Sequence, residues 1–222
     1  MESAKWSYSS MSLFQQCPKK YHHLRVIKDI VEPPSIQMRY GLDVHKAAED
    51  YVRDGTPIPP AFAFMQEMLD ALKNYEGEIL CEYKMGLTRE LEACDFNAEN
   101  VWWRGIADYM AINREKKKAR VVDYKTGKNT YADTKQLELL ALATFKHFPE
   151  VEVVDAGLLF VVHTAFIRSK YLTEEQETRW VKWLDQSQQL DEAFANDVWN
   201  PKQNFTCRGW CPVTACAHNG RK

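Results

Sequence analysis

Asp123, Tyr124 and Lys125 close a short apolar run, Ala119 to Tyr124, with a carboxylate and an ammonium two positions apart. In a strand, side chains at i and i+2 leave the same face, so Asp123 and Lys125 project together while Tyr124 points the other way. A charged turn, Arg114-Glu115-Lys116-Lys117-Lys118, precedes this run, and before the turn lies a stretch rich in β-branched and aromatic residues, Val101 to Ile112. A hairpin turning about Glu115-Lys116 puts Asp108 across from Asp123 on the same face. Two carboxylates so placed repel, and one pKa rises unless a cation neutralises them. Mg²⁺ suits the pair, because it prefers oxygen ligands, keeps several waters and is commonly held by one or two carboxylates plus a phosphate. Lys125 is then placed to orient a water and to offset charge as a phosphodiester is attacked.

A further ligand is available from a helix. Ser35 caps a segment reaching about Arg53, and Met38, Leu42, His45 and Glu49 fall on one side of it, so His45 can reach the cation with Glu49 one turn on as its partner. Each feature also has a plain structural reading. Asp123 to Lys125 can be a solvated strand end, Asp108 an edge residue and His45 an ordinary core or surface histidine.

The elements that must position these residues are legible in outline. Ser9 or Ser10 can cap a first helix through Leu13, Phe14, Cys17 and Tyr21, and Pro33-Pro34 ends that unit. A third helix is expected over Ala61 to Tyr75. Ile79 to Thr88 alternates, and with the next two strands it predicts an antiparallel meander. A helix follows over Asp133 to His147, then strands over Glu152 to His163 and Phe166 to Leu172. Thr173 with Gln176 predicts a capping box for a long helix, about Glu174 to Ala195. The segment from Trp199 to Lys222 reads as loop. There is no internal repeat.

At 222 residues, with 45% hydrophobic and 27% charged residues, the chain predicts one domain over 1–222. Met1 to Tyr8 has no apolar leader-like core, and no apolar run is long enough for a membrane span, which predicts a cytoplasmic protein without a membrane partner. Net charge is −2, but residues 111–130 carry seven Lys/Arg against two Asp/Glu, and residues 201–222 carry four basic groups and no acidic ones. Such segregation either makes local phosphate-binding surfaces or reflects solvated basic loops. No Gly-rich phosphate loop and no zinc-deaminase pattern is present.

Cys207, Cys211 and Cys216 lie within ten residues, and Cys17 sits far away on the first helix. Together they can close a four-sulfur site that folds 199–222 onto the N-terminal helix. Three cysteines with His218, or with Cys17 in its place, would also make a tetrahedral zinc site, and the plain reading is a coincidental group of thiols without metal. Cys81 and Cys94 read as ordinary thiols. Most tryptophans read as core, and Trp210, inside the cysteine loop, is the best exposed candidate for stacking on unpaired bases.

The order of these pieces resembles the RecB-type nucleases of the PD-(D/E)XK superfamily, a group that includes recombination, CRISPR-adaptation and phage exonucleases. The matching segments are Ser12-Leu13-Phe14-Gln15-Gln16-Cys17-Pro18-Lys19-Lys20-Tyr21, Gly41-Leu42-Asp43-Val44-His45, Gly105-Ile106-Ala107-Asp108, Val122-Asp123-Tyr124-Lys125-Thr126-Gly127 and Gln136-Leu137. The resemblance implies an α/β, restriction-endonuclease-like mixed sheet flanked by helices, with a C-terminal cysteine-rich loop. It implies that His45, Asp108 and Asp123 bind Mg²⁺ or Mn²⁺ with the Tyr124 carbonyl, that Lys125 is the catalytic lysine, and that Gln136 lines the site. It also implies a [4Fe-4S] cluster on Cys17, Cys207, Cys211 and Cys216, although the C-x3-C-x4-C spacing departs from the commoner C-x2-C-x5-C. The family helix motif often has Tyr four residues after the Gln, where this chain has Leu140. The expected activity is a metal-dependent DNA exonuclease in a bacterial or phage-infected cell, acting on single- or double-stranded ends, with a homo-oligomer or a recombination or replication protein as further partners. The alternative is a non-catalytic DNA-binding or scaffolding module that keeps the fold.

Overall fold

The structure is a computed structural model that describes residues 4–130 and 132–220. The first residues of the N-terminal segment and two of the C-terminal cations, Arg221 and Lys222, lie outside the described residues. In chain order the helices are α1 (Tyr8–Gln16), α2 (Pro18–Tyr21), α3 (Ile36–Asp54), α4 (Gln66–Lys73), α5 (Lys135–His147) and α6 (Gln176–Asn196). The strands are β1 (Glu78–Leu87), β2 (Ala93–Cys94), β3 (Trp103–Asn113), β4 (Lys118–Lys125), β5 (Val153–Phe160) and β6 (Ala165–Leu172). The chain divides into two compact units, residues 35–178 and the segments 1–34 with 179–222.

The larger unit is built on a six-stranded sheet in the order β2-β1-β3-β4-β5-β6. Neighbours are antiparallel except β4 and β5, which run parallel. A parallel pair needs a crossover, and α5 supplies it. The sheet is therefore mixed and flanked by helices, as the resemblance implied. The hairpin between β3 and β4 has the expected register: Tyr109 pairs with Val122 and Asn113 with Lys118, so Asp108 and Asp123 come at the next step. The turn is held by the Lys116 N–H donating to Asn113 Oδ1 at 2.9 Å.

Alternation along β3 and β4 sends Tyr109, Ala111, Val122 and Tyr124 into a core with Val44, Ala48 and Val52 of α3 and Leu69 and Leu72 of α4. The Tyr109 hydroxyl is satisfied there by donating to the Leu72 carbonyl at 2.8 Å. Ser35 caps α3 by accepting the Met38 N–H at 3.1 Å, and Gly55, at φ 73°, ends it in the left-handed conformation that glycine adopts at little cost. In α5 every residue from Leu137 to Phe145 is buried.

Several local expectations change. The helix predicted over Ala61 to Tyr75 is a 3₁₀ segment, Pro60–Met65, followed by the shorter α4. The two-residue strand β2 is too short to leave a periodic signal. Thr173 does not cap the last helix as expected. The Leu172 N–H donates to a Glu175 carboxylate oxygen, and Thr173 Oγ1 instead accepts from the Gln176 side chain. The basic turn is also not a free positive surface: Arg114 pairs with Glu78 and Glu150, Lys116 with Glu76 and Lys117 with Glu152.

In the smaller unit Ser7, rather than Ser9 or Ser10, caps α1, and the Ser7 N–H donates back to Ser10 Oγ at 2.9 Å. The first helix breaks at Cys17, which is extended, because Pro18 disfavours a helical conformation in the residue before it. Trp6 stacks on Trp183 and Tyr21 on Trp199, which gives these segments an aromatic core. Among the described residues no helix is long and apolar enough to cross a membrane.

Gly105 limits how β3 can pack. A Cβ there would lie 2.7 Å from the ring of the fully buried Trp103 and 3.3 Å from Leu140 Cδ2. Gly105→Ala is expected to lower the urea-unfolding free energy by about 1–3 kcal/mol through overpacking. An unchanged midpoint would contradict this packing.

Candidate active site

The site lies where α3, β1, β3, β4 and α5 of the larger unit converge. Asp108 of β3 is 9% exposed and Asp123 of β4 is 4% exposed, so two carboxylates are withdrawn from water on adjacent strands. Asp108 Oδ2 accepts the Tyr124 backbone N–H at 2.6 Å. Asp123 Oδ1 accepts from Gln136 Nε2 at 2.6 Å, and its Oδ2 lies 2.7 Å from Lys125 Nζ. Lys125 Nζ in turn donates to Gln136 Oε1 at 3.0 Å. One amide from α5 thus holds both members of the Asp123–Lys125 pair.

His45, one face of α3 inward, reaches Asp108 Oδ2 with Nδ1 at 3.5 Å, and its ring stands edge-on to Tyr124 at 5.8 Å. Burial opposes the imidazolium, but the hydrogen bond and charge of Asp108, aided by Asp123 and Glu82, outweigh it and raise the His45 pKa. Glu49 does not serve as its partner as expected. It pairs with Arg53 and Lys46 along α3, because residues three and four apart on a helix are neighbours. The Tyr124 side chain is buried in the core, so its backbone is the part that borders the site.

Glu82 was not anticipated. Ligand atoms of His45, Glu82 and Asp108 all lie within 4.8 Å of one another. Glu82 stands level with Asp108, between the pairs Cys81–Tyr109 and Tyr83–Ala107, and has φ 51°, unusual for a non-glycine residue within a strand. Burial, then the charges of Asp108 and Glu49, raise its pKa. A tight turn fixes the β3–β4 register, but β1 and β3 are joined through residues 88–102, a connection too long to set a register from sequence.

Gln136, on the first turn of α5, therefore sits with His45, Asp108, Asp123 and Lys125. Leu140, one turn further on, is 2% exposed and packs near Gly105, which removes it from substrate contact. Two buried carboxylates and the half-buried Glu82, with one imidazole and one lysine, make an oxygen-rich environment suited to a hard divalent cation.

In the smaller unit, Cys17, Cys207, Cys211 and Cys216 line one cavity together with His218, and none is in a disulfide. The Lys202 N–H points at Cys17 Sγ at 3.4 Å, joining the C-terminal segment to the end of α1. Cys81 and Cys94 are on β1 and β2 of the larger unit, and burial raises both thiol pKa values.

Burial, then the Asp108 charge, push the Asp123 pKa from its ordinary 3.8 up to about 6, against the opposing pull of Lys125 and His45. A carboxyl raised on folding contributes stability that is present below its unfolded pKa and lost as pH rises through the folded value. The metal-free protein is therefore expected to lose stability between about pH 4 and pH 6, and Asp123→Asn to flatten that slope in denaturant titrations. An identical slope in the variant would contradict the assignment.

No curated protein matches the chain. Among solved structures, that of SSO0001 is 12% identical, with 95% of this chain and 97% of that chain covered at a TM-score of 0.38. The family model of the PD-(D/E)XK nuclease superfamily matches residues 5–216. The chain belongs to the PD-(D/E)XK nuclease superfamily.

Proposed function

We propose that this nuclease is a Mg²⁺- or Mn²⁺-dependent DNA exonuclease of the RecB type, serving recombination, replication or DNA processing in the cytoplasm of a bacterial or phage-infected cell. The observation that carries the reading is the placement of the Lys125 ammonium between Asp123 and Gln136, beside the donor group of His45, Glu82 and Asp108. The preference for DNA ends rests on the resemblance to recombination and phage exonucleases.

His45, Asp108, Asp123 and the Tyr124 carbonyl would hold the cation, with Glu82 as an additional carboxylate. When bound, the cation supplies Lewis acidity toward a phosphate oxygen and lowers the pKa of a water. The protein's own groups do the positioning. The Tyr124 N–H fixes Asp108, and Gln136 fixes Asp123 and Lys125 together, so little reorganisation is needed when substrate arrives. Lys125 orients the attacking water and stabilises negative charge as it builds on the phosphate.

The four cysteines are proposed to hold a [4Fe-4S] cluster within a single nuclease domain over 1–222, with 199–222 closing onto the N-terminal helix. Their convergence on one cavity supports metal binding. Three of the cysteines with His218, which lines the same cavity, would also make a tetrahedral zinc site.

With end-labelled linear and circular DNA, single- and double-stranded, cleavage of the linear forms is expected with Mg²⁺ or Mn²⁺. Asp108→Ala and Lys125→Ala are expected to lower the rate by about 100-fold or more. Undiminished cleavage by either variant would sink the mechanism, and equal cleavage of circles would sink the exonuclease assignment. Protein purified without oxygen is expected to be brown, with absorbance at about 400 nm that Cys207→Ser removes. Colourless protein carrying stoichiometric zinc would overturn the cluster.

A further inference from the structure

Two of the most exposed large apolar side chains lie together in the cysteine-rich segment: Phe205 is 76% exposed and Trp210 77%. Five other tryptophans, Trp6, Trp102, Trp103, Trp180 and Trp183, are fully buried, so exposure of this one is not the habit of the chain. Keeping two aromatic faces in water forgoes the burial that usually stabilises them, and exposed aromatic surface commonly marks a binding site.

The backbone carrying them is fixed. Asn204 caps the short 3₁₀ turn Phe205–Arg208 by accepting the Thr206 N–H at 3.0 Å, and the Trp210 N–H donates to the Thr206 carbonyl at 2.9 Å. The Gly220 N–H donates to the Cys207 carbonyl at 2.7 Å, and the buried Asn219 amide donates to the Cys211 and Val213 carbonyls. The rings are thus presented from a pinned loop, which lowers the entropy cost of using them as contacts.

Beside Phe205 is an open cleft of about 370 Å³, lined also by Gln203, Asn204, Arg208 and His218, with Trp210 outside its lining and two residues beyond Arg208 in the chain. That volume falls in the range of about 300–1,000 Å³ typical of ligand clefts. Its walls combine an aromatic face, a guanidinium, an imidazole and a side-chain amide. Between Trp199 and Gly220 the charged residues are Lys202 and Arg208, with no carboxylate. An aromatic face offers stacking, the cation pairs with a phosphate and the Gln203 amide can bond a base edge, the Asn204 amide being engaged with Thr206, Gln16 and Lys202. A nucleotide of a single strand satisfies all three, whereas duplex DNA keeps its base faces hidden.

We infer that Phe205, Arg208 and Trp210 form a platform that binds single-stranded DNA, with a base in the Phe205 cleft and another on Trp210. The inference rests on the proposal that the chain acts on DNA, and it narrows the substrate to ends carrying unpaired nucleotides.

The test is equilibrium binding of the full-length protein, without added divalent cation, to a fluorescein-labelled oligothymidine at low salt, read by anisotropy. The same measurement is made on an abasic strand of equal length, with strand integrity checked on gels. Phe205→Ala and Trp210→Ala are each expected to weaken oligothymidine binding by about tenfold, while Trp210→Phe keeps it. Abasic-strand affinity is expected to stay within about twofold of the parent in every variant, because backbone contacts are untouched. Unchanged oligothymidine affinity in both alanine variants overturns the platform and leaves the aromatics to a protein partner. An equal loss on the abasic strand also overturns it, since the residues would then act through charge or folding. Cleavage with Mn²⁺ is read separately. Base-dependent binding without cleavage leaves the platform standing and removes the nuclease assignment, whereas cleavage with unaltered binding does the reverse.

Discussion

Asp108 and Asp123 are nearly buried on adjacent strands, and ionised carboxylates in that situation repel each other while having lost most of their hydration. Much of the larger unit's local structure answers this conflict. Lys125 lies two residues from Asp123 on the same face, His45 approaches Asp108 from α3, the Tyr124 N–H bonds Asp108, and Gln136 bonds both Asp123 and Lys125. Even so, the Asp123 pKa is raised to about 6. A residual excess of negative character of this kind is what a divalent cation would relieve.

The scaffold exists to keep these groups at fixed separations. The β3–β4 hairpin sets the two aspartates level, the parallel pairing of β4 with β5 forces a crossover, and that crossover helix brings Gln136 back over the end of β4. The buried Trp103 and Leu140 press on Gly105, three residues from Asp108, leaving the strand little room to shift. Tyr124 anchors the other side by burying its ring among residues of α3 and the sheet.

Much of this was legible in sequence because it depends on short-range rules. The i, i+2 relation of Asp123 and Lys125 and the hairpin register of Asp108 follow from strand geometry and a compact turn, and the position of His45 follows from a well-capped helix. Glu82 was not legible, because its register is set across a long connection and its left-handed backbone follows no local preference. Glu49 does not partner His45 as its helix spacing suggests, because helix-neighbour ion pairs with Arg53 and Lys46 compete for it. Likewise the charges of the basic turn after β3 suit either a phosphate-binding surface or a solvated loop, and the fold sets Glu76, Glu78, Glu150 and Glu152 against them. Those carboxylates are all distant in sequence from their partners, and only the folded sheet brings them near.

If the buried aspartates define the metal site and Lys125 defines its chemistry, the two functions separate on mutation. The most direct measurement is Mn²⁺ titration calorimetry on the wild type, Asp108→Asn and Lys125→Met, paired with DNA cleavage by the same preparations. Mn²⁺ binding is expected in the wild type, with its loss in Asp108→Asn and its retention in Lys125→Met, and neither variant is expected to cleave DNA. Unaltered Mn²⁺ affinity in Asp108→Asn, or wild-type cleavage by Lys125→Met, would contradict this separation.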